Sequence, residues 1–501
     1  MKEGKRYFEV TEPLEKKRLL QDATLFSASL LLSRLLLSIR GIIIPRVLGP
    51  NLYGIYNGVL ILPDFIDHFH FGSLSALKRE IPFCYGKNDF NQAQRIRNLV
   101  FSQYMGSVLI STFIIFCAAT FFLSDHYSPL FIHALWLVCP LIVLQTMVDA
   151  YLENLLRTDN RFDILSRSEI FKSLVGFLIM LVLIWYWHLY GLIASMILAS
   201  SLKGIYIYNK TDYHFSLVWD FKELKRLLKI GFPIIFGVIL LTFFNSQDRI
   251  LIVRYLDTQQ LGYYALALTF SKFLLIIQNG VYSVLEPKIY RLYGETGEVG
   301  DLKKIVWEPI LIMTLLYPLI LGIAYLSVPY VIHILLPKYL PSLICIKIMI
   351  LGSFFFIYTE GFYTFIVAIN RQGLIVKITG LGILFSIALN YFFIQLGWGI
   401  EGVALGTVGT NMIMGIIYLL FTVSHFFKGR RERLVWSCHL IFPVIWIGGL
   451  LILMDVFWPV QGELAKEFGS LFIKGIVLVI FLSPFSTKIL STLKGMGVVR
   501  A

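Results

Sequence analysis

The chain has 501 residues, 57% of them hydrophobic and only 15% charged, with a mean hydropathy of +0.75. That balance is too apolar for a soluble domain and marks an all-α, polytopic membrane protein. A formal net charge of +13 would suggest a nucleic-acid partner in a soluble chain. Here the Lys and Arg lie between apolar runs, where they report orientation, so no nucleic-acid partner is expected. Cysteines at 84, 117, 139, 345 and 438 show no CxxC or Cys/His spacing, and no disulfide framework, metal centre or other cofactor follows from them.

The charged opening, "MKEGKRYFEVTEPLEKKRLLQD", is too long for a signal-peptide n-region, so the first apolar run is expected to be retained. Within it, residues 14–20 read equally as a short surface helix or a solvated lead-in. A bilayer core of about 30 Å needs roughly 20 apolar residues per helix, which predicts about fourteen spans. They fall near 23–44, 54–76, 98–123, 130–154, 165–187, 190–209, 229–253, 261–287, 305–328, 341–368, 373–395, 400–424, 436–457 and 468–486. Alternate loops are basic, from Lys78, Arg79, Lys87, Arg95 and Arg97 through to "KGRRER" at 428–433, while those between them carry single cations such as Arg46, Arg254, Lys338 and Lys466. By the positive-inside rule both termini face the cytoplasm.

Three stretches recur in order. "PRVLGPNLYGIYNGVL" (45–60) resembles "VRYLDTQQLGYYALAL" (253–268), "EIPFCYGKNDFNQAQRIRN" (80–98) resembles "EPKIYRLYGETGEVGDLKK" (286–304), and 160–195 resembles 370–406, all at offsets near 208. The pattern predicts a six-helix lobe over 1–210, a second over 211–425 and two additional helices in 426–501. Repeats with an even number of helices must be parallel, with substrate expected between them near the midplane.

Ionisable groups inside spans are costly and mark cavities or pathways by default. In the first helix, "LSRLLLSIRG" carries Arg34 and Arg40, about 120° apart around the axis; either snorkels, pairs with an acid, or borders a wide cavity. The second holds Asp64, Asp67, His68 and His70 beside Pro63. These suit a proton relay, a weak metal site or partners for the helix-one arginines. In the fourth, Gln145, Asp149 and Glu153 recur every four residues, but Arg157 follows and a solvated rim is the simpler reading. Asn245, Asp248 and Arg249 share a face of the seventh, as an internal ion pair or as cavity groups. The eighth carries one polar stripe, Thr269, Lys272, Asn279, Tyr282 and Glu286, and the tenth a deep Glu360. Arginine, lysine and serine around one cavity make a site for an anion.

The chain resembles the multidrug/oligosaccharidyl-lipid/polysaccharide flippase superfamily, and within it the polysaccharide transporter branch of Wzx-type O-antigen flippases. The resemblance is carried by "SRLLLSIRGIIIPRVLGPNLYGIYNG", "LPDFIDHFHFGSLSALKREIPFCYGKND", "DRILIVRYLDTQQLGYYALA" and "ALNYFFIQLGWGIEGVALGT". The first also resembles the "SRxxGxxR" run of the lipid II flippases, onto which Arg34 and Arg40 fall and whose arginines line a cationic cavity for a lipid-linked pyrophosphate. Gly41 and Asp67/His68 depart from that family, which has Asp and an arginine pair there, and this argues against lipid II as substrate.

The resemblance implies a non-enzymatic flippase in a bacterial plasma membrane, carrying polyprenyl-pyrophosphate-linked oligosaccharide to the outer leaflet by alternating access. Arg34, Arg40, Lys272 and Arg249 are the expected substrate contacts. Asp64, Asp67, His68, His70, Asp248, Asn279 and Glu360 are candidates for cavity lining or for coupling to a proton or sodium ion. Substrate and membrane lipid are the expected partners, and a monomer the expected state. A cation-coupled multidrug exporter of the same superfamily would need an acidic or aromatic cavity, which the basic helices disfavour. A membrane glycan polymerase or ligase would need a large outer loop, and the longest here is about ten residues.

Overall fold

A backbone in hydrocarbon has to satisfy its own hydrogen bonds, and helices make up nearly all of the described residues, 12–458, 473–478 and 480–481 of this computed structural model. In chain order they are α1 (Glu12–Val59), α2 (Ile61–Ile66), α3 (Ser73–Gly86), α4 (Phe90–Ala118), α5 (Pro129–Leu144), α6 (Glu153–Thr158), α7 (Phe162–Lys210) and α8 (Phe221–Phe244). There follow α9 (Gln247–Tyr255), α10 (Thr258–Thr296), α11 (Val299–Leu335), α12 (Leu343–Ala368), α13 (Gln372–Gln395), α14 (Gly399–Phe426) and α15 (Arg430–Phe457). A 3₁₀ turn, Asp67–His70, follows α2, and a π-helical stretch, Gln145–Leu152, runs from α5 into α6.

Among the described residues ten helical runs are long and apolar enough to cross a membrane, and α10, bent by 46° between Thr258–Ile276 and Gln278–Thr296, makes an eleventh. Two of these runs are broken. Gly49, at φ 72, stops the first arm of α1, and Pro50 at the start of the next arm supplies a pre-set φ where no amide partner is needed. His188, at φ 45, breaks α7 the same way. With the arms counted separately the eleven runs become thirteen, in line with the sequence. The expected span 468–486 lies outside the described residues, apart from 473–478 and 480–481.

Contacts divide the chain into two units, one of residues up to Leu48 with Ile55–Ser246, the other of Gly49–Gly54 with residues from Gln247 on. This division differs from the boundary expected at 210, because α8 packs with the first unit. The reason is a backbone-to-backbone approach in which a Cβ on Gly72, at φ 98, would overlap the Gly231 carbonyl, and one on Gly231 would overlap that of Gly72. Arg226 of α8 adds an ion pair to Glu80 of α3 at 2.7 Å.

Residues 211–220 lie along α4. Tyr213 donates to Asp159 (2.8 Å), the Asn98 amide to Ser216 (2.7 Å), and the Val218 amide to Ser102 (2.8 Å). Phe215 stacks on Phe101 at 4.8 Å. Asp220 ends the strap by capping α8, accepting from the amides of Lys222 and Glu223, and pairs with Arg95 at 2.6 Å. The Glu223 amide and the Arg95 guanidinium hold its carboxyl below the usual range. In the second unit, Asp455 of α15 accepts from Lys347 of α12 (2.5 Å) and Tyr325 of α11 (2.6 Å). That shared carboxylate ties the penultimate predicted span to its neighbours.

Candidate functional site

In the first unit, Arg34 is exposed. Arg40 lies against α7 instead: its guanidinium sits 5.9 Å from the Phe177 ring centre, with one Nη beside Gly176. Its Nε is buried with no hydrogen-bond partner, a donor that an anionic group would satisfy. One helical turn or two away, Ser33 and Ser173 share a hydrogen bond of 2.6 Å, which fixes α1 on α7.

The acidic and histidine groups of the second span are held more tightly than the sequence implies. Tyr104 of α4 donates to both the carbonyl (2.7 Å) and the carboxylate (3.0 Å) of Asp67. His68 shares a 2.8 Å bond with Thr242 of α8 and stands 3.9 Å from the Asp67 carboxylate. His70, buried, accepts the Gly72 amide on Nδ1 at 2.9 Å, so its proton sits on Nε2 and it caps the start of α3. Asp64 is exposed.

In the second unit Asp248 is 3% exposed and accepts from the Tyr264 hydroxyl (2.5 Å) and the Arg249 amide (2.7 Å). Tyr264 in turn shares 3.3 Å with Thr407 of α14. Of the expected cations, Arg249 is the chain neighbour whose amide serves this carboxylate. Arg249 is buried and Lys272 exposed, which leaves the lysine as the more accessible of the two cations. The stripe expected along the eighth span does not run straight. The bend in α10 separates Lys272 from Asn279, and Tyr282 is buried against Gly361 of α12 while Asn279 is exposed.

Spacing in the sequence missed a five-member charge network. Lys203, with 0% of its side chain exposed, contacts Asp149 at 3.1 Å and also Glu153 and Glu169. Lys172 pairs with Asp149 at 2.6 Å, and Ser200 donates to the same carboxylate oxygen at 3.1 Å. The solvated rim expected at Asp149 and Glu153 is instead an ionic cluster in which these partly exposed carboxylates gather on a buried lysine. Only Arg157, half-exposed and 3.4 Å from Glu153, keeps a rim position. The missing signal was one lysine in the apolar run before 210, whose partners lie 34 to 54 residues away.

A chain of bent and broken spans with paired charges inside them has the make-up of a membrane transporter. The polysaccharide biosynthesis protein family matches residues 43–344, more than half of the chain, and the protein belongs to that family. Its fold is similar to that of lipid II flippase MurJ in an inward closed conformation, at 19% identity and a TM-score of 0.70, over 93% of this chain and 100% of that one. It is also similar to an inward-facing multidrug resistance MATE family transporter of the MOP superfamily, at 14% identity and a TM-score of 0.62, over 78% of this chain and 98% of that one. No curated protein matches the chain in sequence. The superfamily resemblance read from the four sequence motifs therefore holds at the level of the fold.

Proposed function

We propose that the protein is a flippase that moves a polyprenyl-pyrophosphate-linked oligosaccharide from the cytoplasmic to the outer leaflet of a bacterial plasma membrane, with both termini cytoplasmic. The observation that carries this reading is Arg40, a guanidinium inside a spanning helix whose Nε is buried without a partner. Membership of a polysaccharide biosynthesis family supports a glycan-bearing cargo. On this reading Arg34 and Arg40 take the pyrophosphate together with Lys272 and Arg249, the polyprenyl tail stays in lipid, and two lobes alternate in access within a monomer. A cation or the membrane potential drives the cycle, since one elementary charge crossing 100 mV is worth about 2.3 kcal/mol.

Arg40→Ala should abolish surface glycan display at unchanged protein level, and Arg40→Lys should retain part of it, because the charge survives and the fork does not. Normal display in Arg40→Ala would remove the site assignment. Purified protein that retains a cationic dye, but no polyprenyl-pyrophosphate glycan, would favour the drug-export reading instead.

A further inference from the structure

The start of α8 carries more cations than its acids neutralise. Asp220 pairs with Arg95, and Glu80 and Glu223 share Arg226. Lys222, Lys225 and Lys229 are exposed, and among the described residues no carboxylate stands within ion-pair distance of any of the three. They recur at spacings of three and four, and the same alternation continues into Phe232 and Phe236. At 100° per residue these five make one stripe along the helix. Leu224, Leu227, Gly231 and Ile235 lie on another face, buried where α8 meets Gly72.

The stripe divides by chemistry into a cationic half and an aromatic half. Phe232 and Phe236 are both exposed, with ring centres 6.2 Å apart. Because α8 is long and apolar enough to cross a membrane, its lysines stand at the end of a span. Phe236 lies about 10 Å further along the axis than Lys229, within one leaflet of a roughly 30 Å core. The strap before α8 adds to the same end. Trp219 and Phe221 stack at 6.5 Å and are both exposed, and a Cβ on Gly106 of α4 would stand 3.3 Å from the Trp219 indole, so α4 seats the tip of that ring and leaves the rest open.

We propose that this stripe binds an anionic phospholipid of the leaflet that the basic loops face, its phosphate on the three lysines and an acyl chain along Phe232 and Phe236. Charge complementarity selects the headgroup. Three ammonium groups without acidic partners attract an anionic surface, whereas a zwitterionic headgroup brings a cation of its own. The form of the cations separates this lipid from a pyrophosphate-linked one. Lysines are point charges, here spread over about 10 Å of helix, and they suit neighbouring phosphates of a membrane surface; a compact pyrophosphate is matched better by arginine forks. Arg40 lies elsewhere in the unit, against Phe177 of α7, and the lipid on α8 does not depend on what the protein carries.

Photo-cross-linking of the full chain tests the site, in nanodiscs of equal parts phosphatidylglycerol and phosphatidylcholine with matched acyl chains. A diazirine amino acid in place of Phe232 should capture phosphatidylglycerol about fivefold or more over phosphatidylcholine. The same probe in place of Ile452, exposed on α15, reports the bulk ratio. Lys222→Gln, Lys225→Gln and Lys229→Gln together should bring capture at 232 down to that bulk ratio; all three positions are exposed, so the fold tolerates the change. Bulk-ratio capture at 232 with the lysines intact, or enrichment that survives their replacement, would overturn the proposal. Polyprenyl pyrophosphate added at the mole fraction of phosphatidylglycerol should leave the captured lipid unchanged. If it displaces phosphatidylglycerol from position 232, the stripe is a docking surface for that lipid and the proposal falls.

Discussion

Replacing Lys203 with methionine would leave Asp149, Glu153 and Glu169 around an apolar side chain of similar length. Breaking a buried ion pair from one side costs about 3–5 kcal/mol, because the remaining charge stays buried. Thermal unfolding of Lys203→Met in detergent should show a large loss of midpoint, and adding Glu169→Gln should restore part of it. An unchanged midpoint would mean that the carboxylates reach water without the lysine. Asp149 and Glu153 were visible in the sequence through their spacing of four, but their setting was not. Intrahelical spacing reports which residues share a face and says nothing of what the next helix brings to it. At Asp248 the sequence did better, since Asp248 and Arg249 are neighbours in the chain; Tyr264, which holds the carboxylate at 2.5 Å, read only as one of a pair of aromatics.

Two connections turn helices into larger elements. The α3/α8 contact depends on Gly72 and Gly231, and at Gly72 the left-handed backbone alone makes a side chain cost about 1–2 kcal/mol. Overlap with the Gly231 carbonyl adds to it, so Gly72→Ala should lower the yield of folded protein and the unfolding midpoint more than Gly86→Ala, where a Cβ meets nothing. The second connection is the strap at 211–220. Asp159, buried, accepts from Arg97 (3.0 Å), Tyr85 (2.9 Å) and Tyr213 (2.8 Å). Burial and the Asp159 charge push the Tyr213 phenol above its ordinary range, so this hydroxyl stays a donor. Asp159→Asn should release the strap, read as faster tryptic cleavage after Lys210 and faster amide exchange over 211–220. Protection equal to the wild type would show that the Phe215–Phe101 stack and the Ser102 bond suffice. The sequence showed 211–220 only as a break between spans.

At the scale of the whole molecule, the repeat expected from the sequence sets two glycines against each other's neighbours. The offset of 208 that aligns 45–60 with 253–268 pairs Gly54 with Gly262 and Pro50 with Thr258. A Cβ on Gly54 would overlap the Thr258 carbonyl and one on Gly262 would overlap that of Pro50, a reciprocal contact of equivalent residues. Around it Tyr53, Tyr263 and Tyr339 meet edge to face at 6.0–6.2 Å, and Thr258 donates to Asn51 at 2.5 Å. If access alternates by parting these segments, Asn51→Cys with Thr258→Cys should cross-link under oxidation and arrest glycan display, with recovery on reduction. A cross-linked protein that still supports display would exclude movement at this contact. By itself the sequence determined the membrane class, the apolar spans among the described residues and the superfamily resemblance, because hydrophobic length and motif pattern are one-dimensional quantities. Which groups meet was decided only in three dimensions: Lys203 among three carboxylates, Tyr264 on Asp248, Arg40 against Phe177. Helix rotation, the breaks at Gly49 and His188 and the bend in α10 set which side chains face each other, and none of these is fixed by local spacing.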